Sequence, residues 1–206
     1  MGPISREEVT DEVLLMRFQG GDRGAFTSLV RRHKMPIFNF ILRLVGAAPA
    51  AEDLVQDVFI RIVQNAVDFK HESKFSTWAY AIARNISIDY LRKASFQRSS
   101  SLDRAIFGAS DGPTVLEATP DQHPRASVER AVIGMEIGER ITASVDRLPQ
   151  EQREVFLLRE IANLPFREIS AIIGVPENTI KSRMRYALER LQEGLVDYED
   201  YARALR

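Results

Sequence analysis

Lys181, Ser182, Arg183 and Arg185 stand in the first turns of a helical pattern that opens on Pro176-Glu177-Asn178. With Asn178, Thr179 and Tyr186 they form a set that offers hydrogen bonds and positive charge. Such a set suits a DNA groove, because Lys and Arg donate to guanine edges and phosphates while Ser and Asn bond to either. From Glu177 to Leu191 the basic residues Lys181, Arg183, Arg185 and Arg190 oppose Glu177 and Glu189, a net +2. Bond-breaking chemistry has no comparable group. His33, His71 and His123 lie in three separate segments, and the acids of 52–57 have no histidine beside them. No HExxH, glycine-rich phosphate loop or serine elbow is present. A nuclease is therefore disfavoured, and no catalytic residue, metal or cofactor is expected.

The elements that must position the basic set are all helical in pattern. Phe166, Ile169, Ile172 and Ile173 give a short amphipathic helix. Gly174 supplies the positive φ of a tight turn, and Val175 can plug the angle between two helices. Asn178 is a candidate N-cap for the next helix, whose Ile180, Met184, Ala187, Leu188 and Leu191 can face inward. Further patterns cover 128–148 and 150–161. Upstream, Thr10-Asp11-Glu12 and Asp22 read as helix starts, Gly20-Gly21 and Gly46 to Pro49 as breaks, and Pro36 as a possible kink. Ala51, Leu54, Val55, Val58, Phe59, Ile62 and Val63 recur at 3- and 4-residue steps, an amphipathic stripe. Its opposite face holds Glu52, Asp53, Gln56, Asp57 and Arg61. Asp68 to Ser76 reads as a polar loop, with Ser76 or Thr77 capping a helix through Trp78, Ile82, Ile86 and Leu91.

From Ser95 to about Ser127 the periodicity fails amid serines, glycines and prolines. A loop of that length belongs between domains, not inside one. The expected architecture is therefore all-α: two small helical domains, at 10–94 and 128–195, joined by a flexible linker at 95–127 and followed by a tail at 196–206. The tail reads as a short extra helix or a frayed end.

The chain has 206 residues, a net charge of -1 and no cysteine. That charge excludes a protein that coats DNA with a wholly basic surface, while local basic and acidic patches remain open. Without cysteines there is no disulfide framework. No apolar run approaches the ~20 residues of a membrane span, and the first residues have no signal-peptide character. A cytoplasmic protein without membrane insertion is expected.

The segments AEDLVQDVFIRI (51–62), FKHESKFSTWAYAIARNISIDYLRK (69–93) and LPQEQREVFLLREIANLPFREISAIIGVPENTIKSRMRYALERL (148–191) closely resemble the extracytoplasmic-function group of the sigma-70 family of RNA polymerase specificity subunits. The resemblance covers both helical units in the family's order. It implies region 2 for the first, region 4 with its helix-turn-helix for the second, and a non-catalytic alternative sigma factor. By the same resemblance, Asp53, Gln56, Asp57 and Ile60 face the clamp helices of the largest polymerase subunit, and the second unit meets the flap of the second-largest subunit.

The resemblance further implies −10 promoter contacts by Phe69, Lys70, His71, Ser73 and Lys74 in the loop, and by Trp78, Tyr80, Arg84, Asn85, Arg92 and Lys93 on the helix after it. Seven Lys/Arg between Arg61 and Arg98 oppose Asp68, Glu72 and Asp89, a net +4, as a strip for single-stranded DNA requires. Phe75, Trp78 and Tyr80 fit a core as well as a stacking platform. The −35 contacts implied are Asn178, Thr179, Lys181, Ser182, Arg183, Arg185 and Tyr186. Tyr186 and Leu188 depart from the basic residues common in the family. An anti-sigma factor is the regulatory partner the resemblance implies, alongside core polymerase and promoter DNA. The rival reading is a regulator with a sensor domain, which predicts a ligand pocket within 10–94.

Overall fold

A computed structural model describes the backbone of residues 9–69, 73–102, 138 and 140–204, and side chains for these except 97–102 and 195–204. Lys70 and His71, both assigned to the −10 loop, lie outside the described residues, as does most of the linker. The described chain forms helices and no strand: α1 (Asp11–Gln19), α2 (Arg23–Val45), α3 (Ala48–Asn65), a 3-10 turn at Ala66–Asp68, α4 (Phe75–Leu102), α5 (140–146), α6 (Gln150–Glu160), α7 (Phe166–Ile173) and α8 (Glu177–Ala204).

The starts and stops follow local chemistry. Thr10 caps α1, its hydroxyl accepting from the Val13 N–H at 3.4 Å. Asp22 caps α2 by accepting from the N–H groups of Gly24 and Ala25 at 2.9 and 3.2 Å. α2 continues through Pro36 and ends at Gly46, whose φ of 74° is left-handed, a conformation that costs glycine least. Pro49 in the first turn of α3 loses no helical hydrogen bond there. Two expected caps are corrected. α4 begins at Phe75, so Ser76 and Thr77 lie inside it; the Phe75 N–H is instead satisfied by Glu12 Oε1 of α1 at 3.0 Å. α8 begins at Glu177, and the Pro176 carbonyl accepts from the Ile180 N–H. Pro176 is thus the cap, and Asn178 sits in the first turn.

α1 to α4 pack as one bundle. Leu15, Leu29, Ile37, Phe40, Ile41, Val58, Ile62 and Phe75 form its centre, each fully buried. Phe40 meets Tyr80 edge to face at 5.4 Å, a favoured geometry for ring pairs. Asp11 ties α1 to α2 by bonding Arg32 at 2.8 Å and His33 at 2.6 Å. Val63, read as part of the inward stripe, is 43% exposed. The buried seam of α3 ends at Ile62, and one further residue rotates about 100° off it.

α5 to α8 form the second unit around Val155, Leu158, Leu164, Ile169, Ile180 and Ala187. Gly174 ends α7 at φ 81°. Val175 packs against the core, and its carbonyl accepts from the Ser170 hydroxyl at 2.6 Å. Ile180, Met184, Ala187 and Leu191 are buried at steps of 3 and 4. Leu188, expected inward, is 49% exposed because it lies one residue off that seam. Two helices run past their expected ends: α4 to Leu102, into the segment assigned to the linker, and α8 to Ala204, through the residues assigned to the tail. α8 passes so close to α5 at Gly194 that a Cβ there would stand 3.0 Å from Ser144 Oγ.

Replacing Phe40 by Ala should lower the stability of the chain by about 3–5 kcal/mol, whereas Val63→Ala should change it by less than about 0.5 kcal/mol. Urea denaturation of both variants checks the difference; equal costs would contradict the burial pattern.

Candidate functional site

Burying one side of α3 turns the other outward. Glu52, Asp53, Gln56 and Asp57 are all exposed. Ile60 follows on the same side at 52% exposure, and Val63 and Val67 continue outward at 43% and 83%. The polar residues assigned to core binding are thus brought together with Ile60 on one face. The apolar row at 60, 63 and 67 was missed, because Val63 fitted the inward stripe and Val67 fell in a short turn.

The segment before α4 is anchored by its aromatics. Phe69 and Phe75 are buried, and Phe69 packs on Trp78 with ring centroids 4.9 Å apart. Trp78 is only partly buried. Beside it lies a cavity of about 340 Å³, walled by Phe69, Trp78 and Ile82 and edged by Arg61, Asn65, Asp68 and Asn85. Apolar walls under a polar rim can hold a planar base and bond its edge. Phe69, Trp78 and Asn85 were legible as site residues. Asn65 and Ile82 were not, since a helix end and an apolar stripe carry no signal of a cavity between α3 and α4.

Other residues of the strip divide. Asn85, Arg92 and Lys93 are exposed, Arg92 paired with Asp89 at 2.7 Å. Ser73 and Lys74 are exposed at the loop end. Tyr80 is corrected to a core residue: it is 3% exposed, and burial pushes its hydroxyl pKa up from 10.0 to about 12. Arg84 is half-buried and turned away from solvent. Its Nε and Nη2 lie 2.9 and 2.8 Å from Glu154 Oε2 of α6.

On α8 the exposed residues Asn178, Lys181, Ser182, Arg185 and Tyr186 face away from the buried seam, and exposed Leu188 flanks it. Lys181 reaches Glu177 at 2.7 Å, and Arg185 lies over the Tyr186 ring at 4.8 Å. The Ser182 hydroxyl donates back to the Asn178 carbonyl at 2.9 Å. Exposed pairs of this kind are worth little, so a phosphate or base edge can displace them. Thr179 is half-buried. Arg183 is set apart from the outer face: it pairs with Glu151 of α6 and is 19% exposed.

Residues 29–97 match the family model for sigma-70 region 2, and residues 138–191 match that for sigma-70 region 4. The ECF RNA polymerase sigma factor SigW of Bacillus subtilis (strain 168) is 33% identical over 86% of this chain and 92% of its own length. The ECF RNA polymerase sigma-E factor of Escherichia coli (strain K12) is 31% identical over 90% of this chain and 94% of its own. The fold is similar to that of CnrH, solved in complex with the cytosolic domain of CnrY, with a TM-score of 0.62 at 21% identity, covering 91% of this chain and 97% of that one. It is similar also to sigma factor RpoE from Bartonella quintana, solved with the anti-sigma factor NepR, with a TM-score of 0.62 at 24% identity, covering 82% and 96%. Among the described residues no helix is long and apolar enough to cross a membrane.

Tyr80 carries a pH dependence. Its folded pKa lies above the unfolded value, so the stability it contributes is complete below about pH 10 and is lost as pH rises toward 12. A shift of that size corresponds to roughly 2–3 kcal/mol. Denaturation between pH 9 and pH 12 should therefore show a shallower alkaline loss in Tyr80→Phe than in the parent chain; identical slopes would place the Tyr80 hydroxyl in water.

Proposed function

The chain belongs to the extracytoplasmic-function group of the sigma-70 family, a non-catalytic specificity subunit of RNA polymerase, and from that premise we propose which of its surfaces does what. The exposed face of α3, with Asp53, Gln56, Asp57 and Ile60, docks on the clamp helices of the largest polymerase subunit. Acidic charge there steers the encounter and sets register, and the apolar row supplies contact area. The cavity between α3 and α4 takes one base extruded from the −10 element. Stacking lost in the duplex is recovered against Trp78, and Arg61, Asn65 and Asn85 can read the base edge. Lys70, His71, Ser73, Lys74, Arg92 and Lys93 track the single strand's phosphates.

The outer face of α8 enters the major groove of the −35 element. This assignment is carried by one observation: Asn178, Lys181, Ser182 and Arg185 are exposed together while the opposite side of the same helix is buried. Lys181 and Arg185 are the base-reading residues. Arg183, paired with Glu151, holds the helix on α6 instead. The second unit also meets the flap of the second-largest subunit. An anti-sigma factor that covers α3 or α8 would silence the chain, and the similarly folded RpoE, solved with the anti-sigma factor NepR, favours this.

Run-off transcription with core polymerase on genomic fragments tests the assignment. Lys181→Ala or Arg185→Ala should cut specific transcripts by about tenfold or more, with core binding unchanged. Undiminished transcription would remove those residues from promoter reading. Asp53→Arg combined with Asp57→Arg should weaken core binding about tenfold without altering the fold seen by circular dichroism; full-strength binding would refute the α3 assignment.

A further inference from the structure

Two side chains of α1 hold the walls of the cavity at Trp78 without lining it. Gln19 Nε2 donates to the Ala66 carbonyl at 2.7 Å, and Glu12 Oε1 accepts from the Phe75 N–H at 3.0 Å. The partners lie 47 and 63 positions apart in sequence. Glu12 and Gln19 are two turns apart on α1, so they share a face at about 10 Å along the axis. Ala66 opens the 3-10 turn that carries Asp68, and its carbonyl also accepts from the Phe69 N–H at 3.2 Å. Gln19 therefore fixes the carbonyl from which the Phe69 wall hangs. Phe75 is fully buried, with its ring edge-on to Trp78 at 6.2 Å. The Glu12 carboxylate takes an N–H that a helix start leaves unbonded, and its charge suits the positive end of the helix dipole. It sets where α4 begins, and so where Trp78 presents its ring to Phe69. α1 is itself well anchored: Asp11 ties it to Arg32 and His33, and Leu14 and Leu15 are buried in the bundle.

We propose that Glu12 and Gln19 are positioning residues for base capture: by fixing Phe75 and Ala66 at a set spacing they hold Phe69 against Trp78, and so determine how tightly the cavity grips a base. The inference rests on the reading of that cavity as the seat of an extruded −10 base. Loss of either anchor frees one wall. A shift of about 1 Å in the supporting residues is enough to spoil a site whose own side chains are intact. Stacking needs close contact with the ring, so the grip on the base weakens while the strip's phosphate contacts persist.

Trp78 is the only tryptophan of the chain, so its fluorescence reads this wall directly. In the free full-length chain, Gln19→Ala and Glu12→Ala should each raise the quenching of Trp78 by acrylamide. Capture is read in the holoenzyme formed with core polymerase. The probe is a fluorescein-labelled single strand from a promoter mapped by run-off transcription, made abasic at one position at a time. The parent should lose about tenfold in affinity at one position, that of the stacked base. Both alanine variants should shrink that loss to about threefold, a coupling of the size that neighbouring groups show, and leave the losses at other positions as they are. Glu12→Gln keeps an acceptor for the Phe75 N–H and should return both readings to near the parent's. Arg17→Ala, at an exposed position of α1, should change neither. Gln19→Glu removes the donor at equal size and serves if Gln19→Ala does not fold. Unchanged Trp78 quenching in the alanine variants would overturn the positioning role. An affinity loss spread evenly over all positions would reduce both residues to general stability and overturn it too. A parent with no such position sinks the cavity reading and this proposal together; a position that the variants keep at full strength sinks the proposal alone.

Discussion

The N-terminal unit depends on one constraint, the burial of a single side of α3 between α2 and α4. Val58 and Ile62 are fully buried there, and Leu54, Val55 and Phe59 nearly so. Each such side chain is worth about 1.5–3 kcal/mol relative to exposure, far more than any surface pair nearby. The seam fixes the rotation of α3, and the rotation decides everything on its outer side. Glu52, Asp53, Gln56 and Asp57 must then face water, and Ile60, Val63 and Val67 line up beside them. It also sets the spacing between α3 and α4 that leaves the cavity at Trp78 open.

The C-terminal unit repeats the logic with a sharper turn. Gly174 reverses the chain in a left-handed conformation, which lets α7 and α8 share Ile169 and Ile180 in one core. Pro176 opens α8 without losing a helical hydrogen bond. The seam at Ile180, Met184, Ala187 and Leu191 then turns Asn178, Lys181, Ser182 and Arg185 out together. Arg183, between them in sequence, is drawn onto Glu151 and braces α8 against α6.

Charge is segregated rather than absent. A chain with net charge -1 carries a basic strip on α4, donors on α8 and an acidic face on α3. A sigma factor must meet both a nucleic acid and a protein, and opposite local fields let it do so without coating DNA at random. The same segregation allows an internal pairing, because Glu154 of α6 and Glu168 of α7 sit opposite Arg84 and Lys74.

Helix periods, glycine and proline breaks and the Thr10 and Asp22 caps were readable from the residues, because each rests on interactions within a few positions of the chain. So were the two-unit architecture and the acidic and basic faces, since amphipathic spacing tells which side of a helix is wet. Tertiary structure decided what depends on partners distant in sequence. Phe75 starts α4 because Glu12, far upstream, satisfies its N–H. Tyr80 is core because Phe40 meets it, and Asn65 and Ile82 share a cavity only once α3 and α4 are packed. Arg84 had the look of a DNA ligand, and its local sequence holds nothing to contradict that. Its occupation by Glu154 comes from the meeting of two units across a linker, a contact that no local pattern encodes.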